Sequence, residues 1–213
     1  MNIANTPVTG LDLTGFTEVE PGLWRDGSGL LLSAHFFPLV PDLPAPPHDL
    51  APLRSGVARA VAESGGGLIE AEPGRVGGLP AVWQLVKTPL GARPGQAFLA
   101  SWTVPRDRCS LVLKTQAAEG PLTGVREAAI LARVGPDDYF RPHPYGDFGG
   151  LPSHVGDLER WDADFPDHPL TRVRTALRRL TPTVTLDEAF TSLPEFPGPP
   201  APRARRGWFR RRR

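Results

Sequence analysis

Histidine and carboxylate side chains are dense between residues 137 and 168, and they are the side chains in this sequence best suited to chemistry. Neutral imidazole and carboxylate are the usual ligands of zinc and other divalent ions. His143, His154 and Asp157 could form a metal site, although their spacing matches no standard ligand pattern. The same composition suits a solvated loop in which Asp167 is the N-cap of the next helix. The polar group consists of Asp137, Asp138, His143, Asp147, His154, Asp157, Asp162, Asp164, Asp167 and His168.

The sequence also offers two nucleophilic side chains. Ser153, His154 and Asp157 share one short segment, but a catalytic triad depends on spatial geometry and not on proximity in sequence. Cys109 follows two arginines that could lower the pKa of its thiol. An isolated cysteine is more often a small buried side chain. We therefore expect neither nucleophile to be catalytic.

The signature motifs of the common enzyme classes are absent from the sequence. It has no Gly-x-x-x-x-Gly-Lys-Ser/Thr, no Gly-x-Gly-x-x-Gly after a strand, no His-Glu-x-x-His and no Gly-x-Ser-x-Gly. A single cysteine excludes both a Cys-x-x-Cys motif and an intramolecular disulfide. We therefore expect no cofactor and no enzymatic activity. The alternative is a metal-dependent hydrolase that uses the polar loop of residues 137–168.

The C-terminal residues 203–213 are strongly basic. They contain seven arginines and no acid, whereas residues 1–202 carry a net charge of −6. Arginines attract phosphate and anionic lipid, and Trp208 and Phe209 could stack on bases or enter a membrane interface. This tail predicts an anionic partner, nucleic acid or lipid; a tail without a role is the alternative. The candidate anion-binding residues are Arg203, Arg205, Arg206, Trp208, Phe209, Arg210, Arg211, Arg212 and Arg213.

Length and composition indicate one soluble domain. A chain of 213 residues with 40% hydrophobic residues can bury a core without disulfides or metal ions. The sequence has no signal-peptide pattern and no apolar run near the roughly 18–20 residues of a membrane-spanning helix, so we expect a cytoplasmic protein. The 26 prolines and 23 glycines predict short elements with long connections.

Strands and three helices must position these side chains. Asp49, Thr123 and Asp167 stand where helix N-caps belong. Residues 135–167 are irregular, and a loop of this length is usually either functional or a packed cover. Apolar residues at helical spacing predict helices over residues 50–63, 124–134 and 169–180. Alternating and apolar runs predict strands at residues 16–20, 23–25, 30–37, 68–72, 81–87, 96–104 and 110–116.

This order predicts an α+β fold, in which an antiparallel sheet of six to seven strands has helices packed on it. Residues 1–15 are expected to be a loose leader. Residues 16–190 should form a single domain, and residues 191–213 a Pro-rich linker followed by the arginine-rich tail.

The order of elements resembles the Mog1/PsbP-like α/β/α sandwich. The residues Gly78-Leu79-Pro80-Ala81-Val82 lead into three hairpin strands that end at Gln116, and a helix begins after Thr123-Gly124. This arrangement looks like the central half of that fold. The likeness is topological, covers about residues 16–180 and includes no catalytic motif. The stretch Trp161–Leu170 is also similar to the C-terminal part of bacterial proteins of undetermined role.

Proteins of the Mog1/PsbP-like group mostly bind partners or act as accessory factors. The resemblance therefore implies a non-enzymatic domain that binds a protein partner. Two surfaces could serve that purpose, the face of the sheet and the loop of residues 135–167.

Overall fold

A computed structural model describes residues 3–200 of the chain, and its centre is a seven-stranded antiparallel sheet. The fold class predicted from the sequence, α+β with helices on an antiparallel sheet, is confirmed. The strands are β1 (Val8–Gly10), β2 (Phe16–Glu20), β3 (Leu23–Asp26), β4 (Leu31–Phe37), β5 (Gly67–Val76), β6 (Leu79–Pro89), β7 (Gln96–Pro105), β8 (Ser110–Ala118) and β9 (Thr185–Leu186). The α-helices are α1 (Leu50–Glu63), α2 (Val125–Val134), α3 (Pro136–Tyr139), α4 (Pro169–Leu180) and α5 (Glu188–Thr191).

The sheet joins two meanders in the order β2-β3-β4-β8-β7-β6-β5. Strands β2 to β4 form the first meander and β5 to β8 the second, and β4 pairs with β8 antiparallel. Both edge strands contain a register shift, in β2 between Glu18 and Glu20 and in β5 between Leu68 and Glu70. Such irregularities discourage pairing with another chain at a sheet edge.

Helix α4 covers one face of the sheet. Leu170, Val173 and Leu177 are at most 1% exposed, and they recur at the spacing that lines one side of a helix. This side packs on inward-facing residues of the strands, including Trp83 and Phe98. The hydroxyl of Thr115 in β8 donates to the carbonyl of Val173 at 2.9 Å, which fixes the helix against the middle of the sheet.

Helix α1 packs on the other face, above β5 and β6. Leu53 and Val57 contact Leu68 and Val82 in a second apolar cluster. Phe196, only 3% exposed, belongs to this cluster although the sequence predicted a linker there. That prediction was wrong for residues up to 196, because the ring of Phe196 packs in the apolar cluster beneath α1.

The expected loose leader is also part of the fold. Val8 is fully buried, and β1 pairs with β9, so that Val8 lies opposite Leu186. The N–H of Asp187 donates to the carbonyl of Pro7 at 2.9 Å. Two strands of three and two residues carry too little pattern to be predicted, and their pairing joins segments about 175 residues apart.

The predicted helices match α1, α2 and α4 to within one residue, but the cap predicted for α2 was wrong. Gly124, and not Thr123, is the N-cap of α2, with a φ of 69° that glycine adopts without strain. Its N–H donates to Glu119 Oε1 at 2.9 Å. A carboxylate that follows β8 therefore lies at the start of α2. Among residues 3–200, no helix has both the length and the apolar character needed to cross a bilayer.

The cap predicted for α4 was wrong as well. His168 takes the N-cap position instead of Asp167, and its Nδ1 accepts the N–H of Leu170 at 3.2 Å. Residues 135–167, which precede α4, form a packed segment and not an open loop. We call these residues the cover. It contains α3 and two 3-10 helices, Val155–Asp157 and Glu159–Asp164, and Tyr139 and Val155 are buried against α2.

Candidate functional site

Lys87 contacts two of the three predicted metal ligands, His154 and Asp157. It lies near the end of β6 on the same side of the strand as Leu85, because side chains alternate along a strand, and this side faces α4. Lys87 is only 1% exposed. Its ammonium donates to Asp157 Oδ1 at 2.9 Å and Oδ2 at 2.7 Å, and it lies 3.0 Å from His154 Nε2. The structure thus brings His154 and Asp157 together around an ammonium group.

Burial controls the charges of this group. It lowers the pKa of Lys87, and the Asp157 carboxylate opposes that shift. Burial also lowers the pKa of His154 to about 4, again opposed by Asp157. His154 is therefore neutral at pH 7, so its Nε2 accepts from Lys87 and its Nδ1 carries the ring proton. Lys87 Nζ occupies the place from which a metal ion would bind both residues.

Arg126 on α2 is fully buried and holds the segment that contains Asp157. Its Nε donates to the carbonyl of Gly156 at 3.0 Å, and its Nη2 donates to Asp162 Oδ1 at 2.9 Å. Its Nη1 donates to the hydroxyl of Thr171 on α4 at 2.8 Å. One guanidinium therefore joins α2, the two 3-10 helices and α4.

Arg174 on α4 makes a second junction of the same kind. It is 1% exposed and donates to Glu70 Oε1 at 3.0 Å and to Asp162 Oδ2 at 2.5 Å. It also donates to the carbonyl of Asp157 at 2.9 Å. Asp162 thus accepts from both buried arginines. We call Lys87, Arg126, Arg174, Glu70, Asp157 and Asp162 the buried ion-pair network.

The three cations of the buried ion-pair network are at most 1% exposed, whereas the side chains of Asp162 and Glu70 are 14% and 20% exposed. The network ties the cover to β5, β6, α2 and α4 through charge-assisted hydrogen bonds, which are roughly twice as strong as neutral ones. Chemistry on a substrate here would first require the network to open. The geometry favours a structural role for His154 and Asp157.

Four members of the network were not identified from the sequence: Lys87, Arg126, Arg174 and Glu70. Lys87 is one of only two lysines and stands at an inward position of an otherwise apolar strand, which was a usable signal. Arg174 is not one of the apolar residues whose spacing predicted its helix. It is buried because carboxylates from β5 and the cover reach it.

His143, the third predicted metal ligand, lies elsewhere and has both ring nitrogens engaged. Its Nε2 is 2.9 Å from the carbonyl of Leu68, and its Nδ1 accepts the N–H of Tyr145 at 3.2 Å. The three predicted ligands therefore do not form one site. His143 instead binds the backbone of the edge strand β5.

The outer edge of β5 is sealed by hydrogen bonds from several segments. Besides the His143 contact, the hydroxyl of Tyr145 accepts the N–H of Ala71 at 3.3 Å. Arg54 on α1 donates to the carbonyl of Ala71 at 2.9 Å, and Leu151 donates its N–H to Gly66 at 2.9 Å. An open strand edge is a template for unwanted pairing with another chain, and these hydrogen bonds occupy backbone groups that would otherwise be free for it.

The other predicted chemical residues show no catalytic arrangement. Within residues 3–200 no hydrogen bond joins the ring of His154 to Ser153, because Nε2 is taken by Lys87 and Nδ1 has no partner. Cys109 is 6% exposed, and burial raises the pKa of its thiol. The arginine-rich tail lies outside the described residues.

Glu119, Glu127 and His168 form a group with ligand chemistry that the sequence did not reveal. Each offers one ligand atom, and these atoms lie within 4.8 Å of one another. Within residues 3–200 this is the one set of three or more histidine, cysteine or carboxylate side chains that is so close. Only His168 belonged to the polar residues identified from the sequence.

An exposed apolar surface lies at the end of β4, and we call Phe36, Phe37, Leu39 and Val40 the β4 apolar patch. Phe37 is 45% exposed, Leu39 69% and Val40 51%. Phe36 also lines a groove of about 480 Å³, whose walls include Phe190 and Leu193. Phe36 and Phe37 point to opposite faces of the strand because side chains alternate along it, and of the patch residues only Phe36 lines the groove.

Comparison with models of known families, with curated proteins and with solved structures finds no match to this chain.

Proposed function

We propose that the chain is a non-enzymatic domain that binds a protein partner through the β4 apolar patch and the groove beside it. The observation that carries the proposal is the exposure of four large apolar side chains within five consecutive residues. Isolated exposed apolar residues are ordinary, but four of them within a short stretch of chain, one of which lines a groove, favour an interaction site. The partner-binding role implied by the Mog1/PsbP-like resemblance agrees with this proposal.

The aromatic part of the patch is held in place before any partner arrives. Phe36 and Phe37 pair within the sheet with Leu111 and Ser110 of β8. The ring of Phe36 also meets Phe190 edge to face at a centroid distance of 6.3 Å. Aromatic side chains fixed in this way lose little conformational freedom on binding, which makes them effective anchors.

The polar constellations support binding over catalysis. The buried ion-pair network binds the cover to the rest of the fold, and its cations already have carboxylate partners. The loop that carries His143 is occupied in sealing β5. In contrast, the side chains of the β4 apolar patch are exposed and are not buried by the rest of the fold.

The test compares substitutions at two exposed apolar positions. Leu39→Asp places a charge in the β4 apolar patch, and Leu122→Asp is the matched control because Leu122 is 84% exposed beyond the far end of β8. The full chain is immobilised through a cysteine introduced at the exposed Ala92, in the β6–β7 hairpin at the end of the sheet away from the patch. Proteins captured from a cell lysate are then quantified.

We expect a partner that binds the original chain and the Leu122→Asp control, with affinity for Leu39→Asp reduced about tenfold or more, as for a residue at the centre of an interface. The affinity is measured with the purified partner by calorimetry. Equal binding to both variants would show that the patch is not the binding surface. Capture of no saturable partner would overturn the proposal.

A further inference from the structure

Three side chains from different elements, one buried and two partly buried, converge near the start of α2. Glu119 follows β8, Glu127 lies in the first turn of α2, and His168 caps α4. Their ligand atoms lie within 4.8 Å of one another. We propose that Glu119, Glu127 and His168 form a binding site for one divalent ion of the zinc and manganese class. This inference is independent of the proposed function.

Two buried polar atoms of this group have no hydrogen-bond partner among residues 3–200. The side chain of His168 is 10% exposed, and its Nε2 has no hydrogen-bond partner among residues 3–200. Glu127 Oε2 likewise has no hydrogen-bond partner among these residues. A buried polar atom without a partner is costly, so such atoms in native proteins usually have a ligand, a water or a specific role. His168 Nε2 lies 3.8 Å from Glu119 Oε1, across the proposed site.

The two carboxylates lack a basic partner. Among the described residues, neither Glu119 nor Glu127 forms an ion pair with a lysine or an arginine. Arg126, the neighbour of Glu127 in the chain, forms its ion pair with Asp162. Burial raises the pKa of Glu127, and the neighbouring charge of Glu119 adds to this effect. A bound cation would compensate both negative charges.

Glu119 is held in position for such a role. Its Oε1 accepts the N–H of Gly124 at 2.9 Å, and its Oε2 accepts the N–H of Gln96 at 2.7 Å. Each carboxylate oxygen retains a second lone pair for a metal ion. A divalent ion of this class would bind the carboxylates of Glu119 and Glu127 at metal–oxygen distances of about 2.0–2.2 Å.

His168 has the protonation state that metal binding requires. Its ring is neutral in this geometry, because the nitrogen that accepts a hydrogen bond carries no proton. Nδ1 now accepts the N–H of Leu170, which places the ring proton on Nε2. Binding through Nε2 moves this proton to Nδ1 and breaks the cap. The start of α4 should therefore respond to the ion.

Titration of the full chain with zinc chloride at pH 7.5, followed by calorimetry after removal of adventitious metal, tests the site. We expect one ion per chain. Glu127→Gln and His168→Gln should each weaken binding more than about tenfold, since even outer-shell partners of a metal site commonly contribute that much. The amide resonance of Leu170 should shift with saturation. Glu188→Gln and His48→Gln change exposed residues outside the site and should bind zinc like the original chain.

The variants also separate the alternatives. Melting curves without metal establish that each variant is folded. Absence of zinc binding in the original chain, or zinc binding by Glu127→Gln and His168→Gln that is as tight as in the original chain, would overturn the proposal. Loss of binding in His154→Gln but not in His168→Gln would assign the ion to the Lys87 region and would overturn it as well.

Discussion

The ammonium of Lys87 lies 2.7 Å from Asp157 Oδ2, and the side chains of both residues are at most 7% exposed. The two residues are 70 positions apart in the chain. Their contact fixes the first 3-10 helix of the cover, Val155–Asp157, against the end of β6. A buried ion pair of this kind is costly to break from one side, because the remaining charge stays in a poorly solvated place.

Lys87→Met should therefore lower the free energy of unfolding by about 3–5 kcal/mol, since Asp157 loses its charged partner. The double change Lys87→Met with Asp157→Leu should restore much of that loss, because both charges are then removed. Urea denaturation measures both effects. Lys114→Met, at a partly exposed position of β8, is the control and should change stability little. A loss below about 1 kcal/mol for Lys87→Met would contradict the role of the pair.

Acid should destabilise the fold between about pH 6.5 and pH 4. Burial holds the pKa of His154 and of His168 at about 4, below the ordinary value of 6.5, so the unfolded chain binds more protons in this interval. Each histidine then contributes a slope of about 1.4 kcal/mol per pH unit, with stability rising as the pH rises. The raised pKa of Glu127 acts in the opposite direction above its ordinary value.

The pH dependence is measured by urea denaturation at a series of pH values. His154→Gln and His168→Gln should each reduce the slope between pH 4 and 6.5. His48→Gln alters an exposed histidine and should leave it unchanged. Equal slopes in all four proteins would show that neither buried ring resists protonation.

The two tyrosines of the chain should respond oppositely to loss of the hydroxyl. Tyr145→Phe removes a group that accepts from the N–H of Ala71 and donates to Glu72, so we expect a loss of about 0.5–1.5 kcal/mol. The hydroxyl of Tyr139 is buried without a partner among residues 3–200, so Tyr139→Phe should be neutral or stabilising. Amide exchange at Ala71 should also become faster in Tyr145→Phe only. Equal losses in the two variants would argue against the sealing of β5.

The prediction of an anionic partner for the tail remains, and it concerns residues beyond those described. Binding of the full chain to nucleic acid or to anionic vesicles should fall steeply with salt, because arginine contacts release counterions. Truncation after Pro202 should abolish it. Fluorescence anisotropy with labelled DNA, together with vesicle sedimentation, distinguishes the two anions. Binding that is independent of salt would rule out this mechanism.

Local pattern was sufficient to predict the three longest helices, α1, α2 and α4, and the strands of the sheet, but not the four-residue helices α3 and α5. The hairpins β6 to β8 follow from alternation and turn residues, and α4 follows from its apolar side. The pairing of β1 with β9 could not be predicted, since five residues carry no period. The α+β class required only the order of elements.

The candidate sites were harder to predict because they depend on which strands and helices the cover contacts. His143 and His154 are 11 positions apart, yet one binds the edge of β5 and the other meets Lys87. Neither the partner of Lys87 nor the approach of Glu119 to His168 follows from spacing. Such contacts are set by tertiary packing over long distances in sequence, and only the inward lysine in an apolar strand hinted at one of them.

The residues Asn5, Thr6 and Pro7 form one wall of the groove beside Phe36. A tag or fusion partner attached at the N terminus would therefore leave from the rim of the proposed binding surface and could compete sterically for it. Because the one native cysteine is buried, a single thiol introduced far from this rim would give a clean attachment point for a fluorophore or a surface.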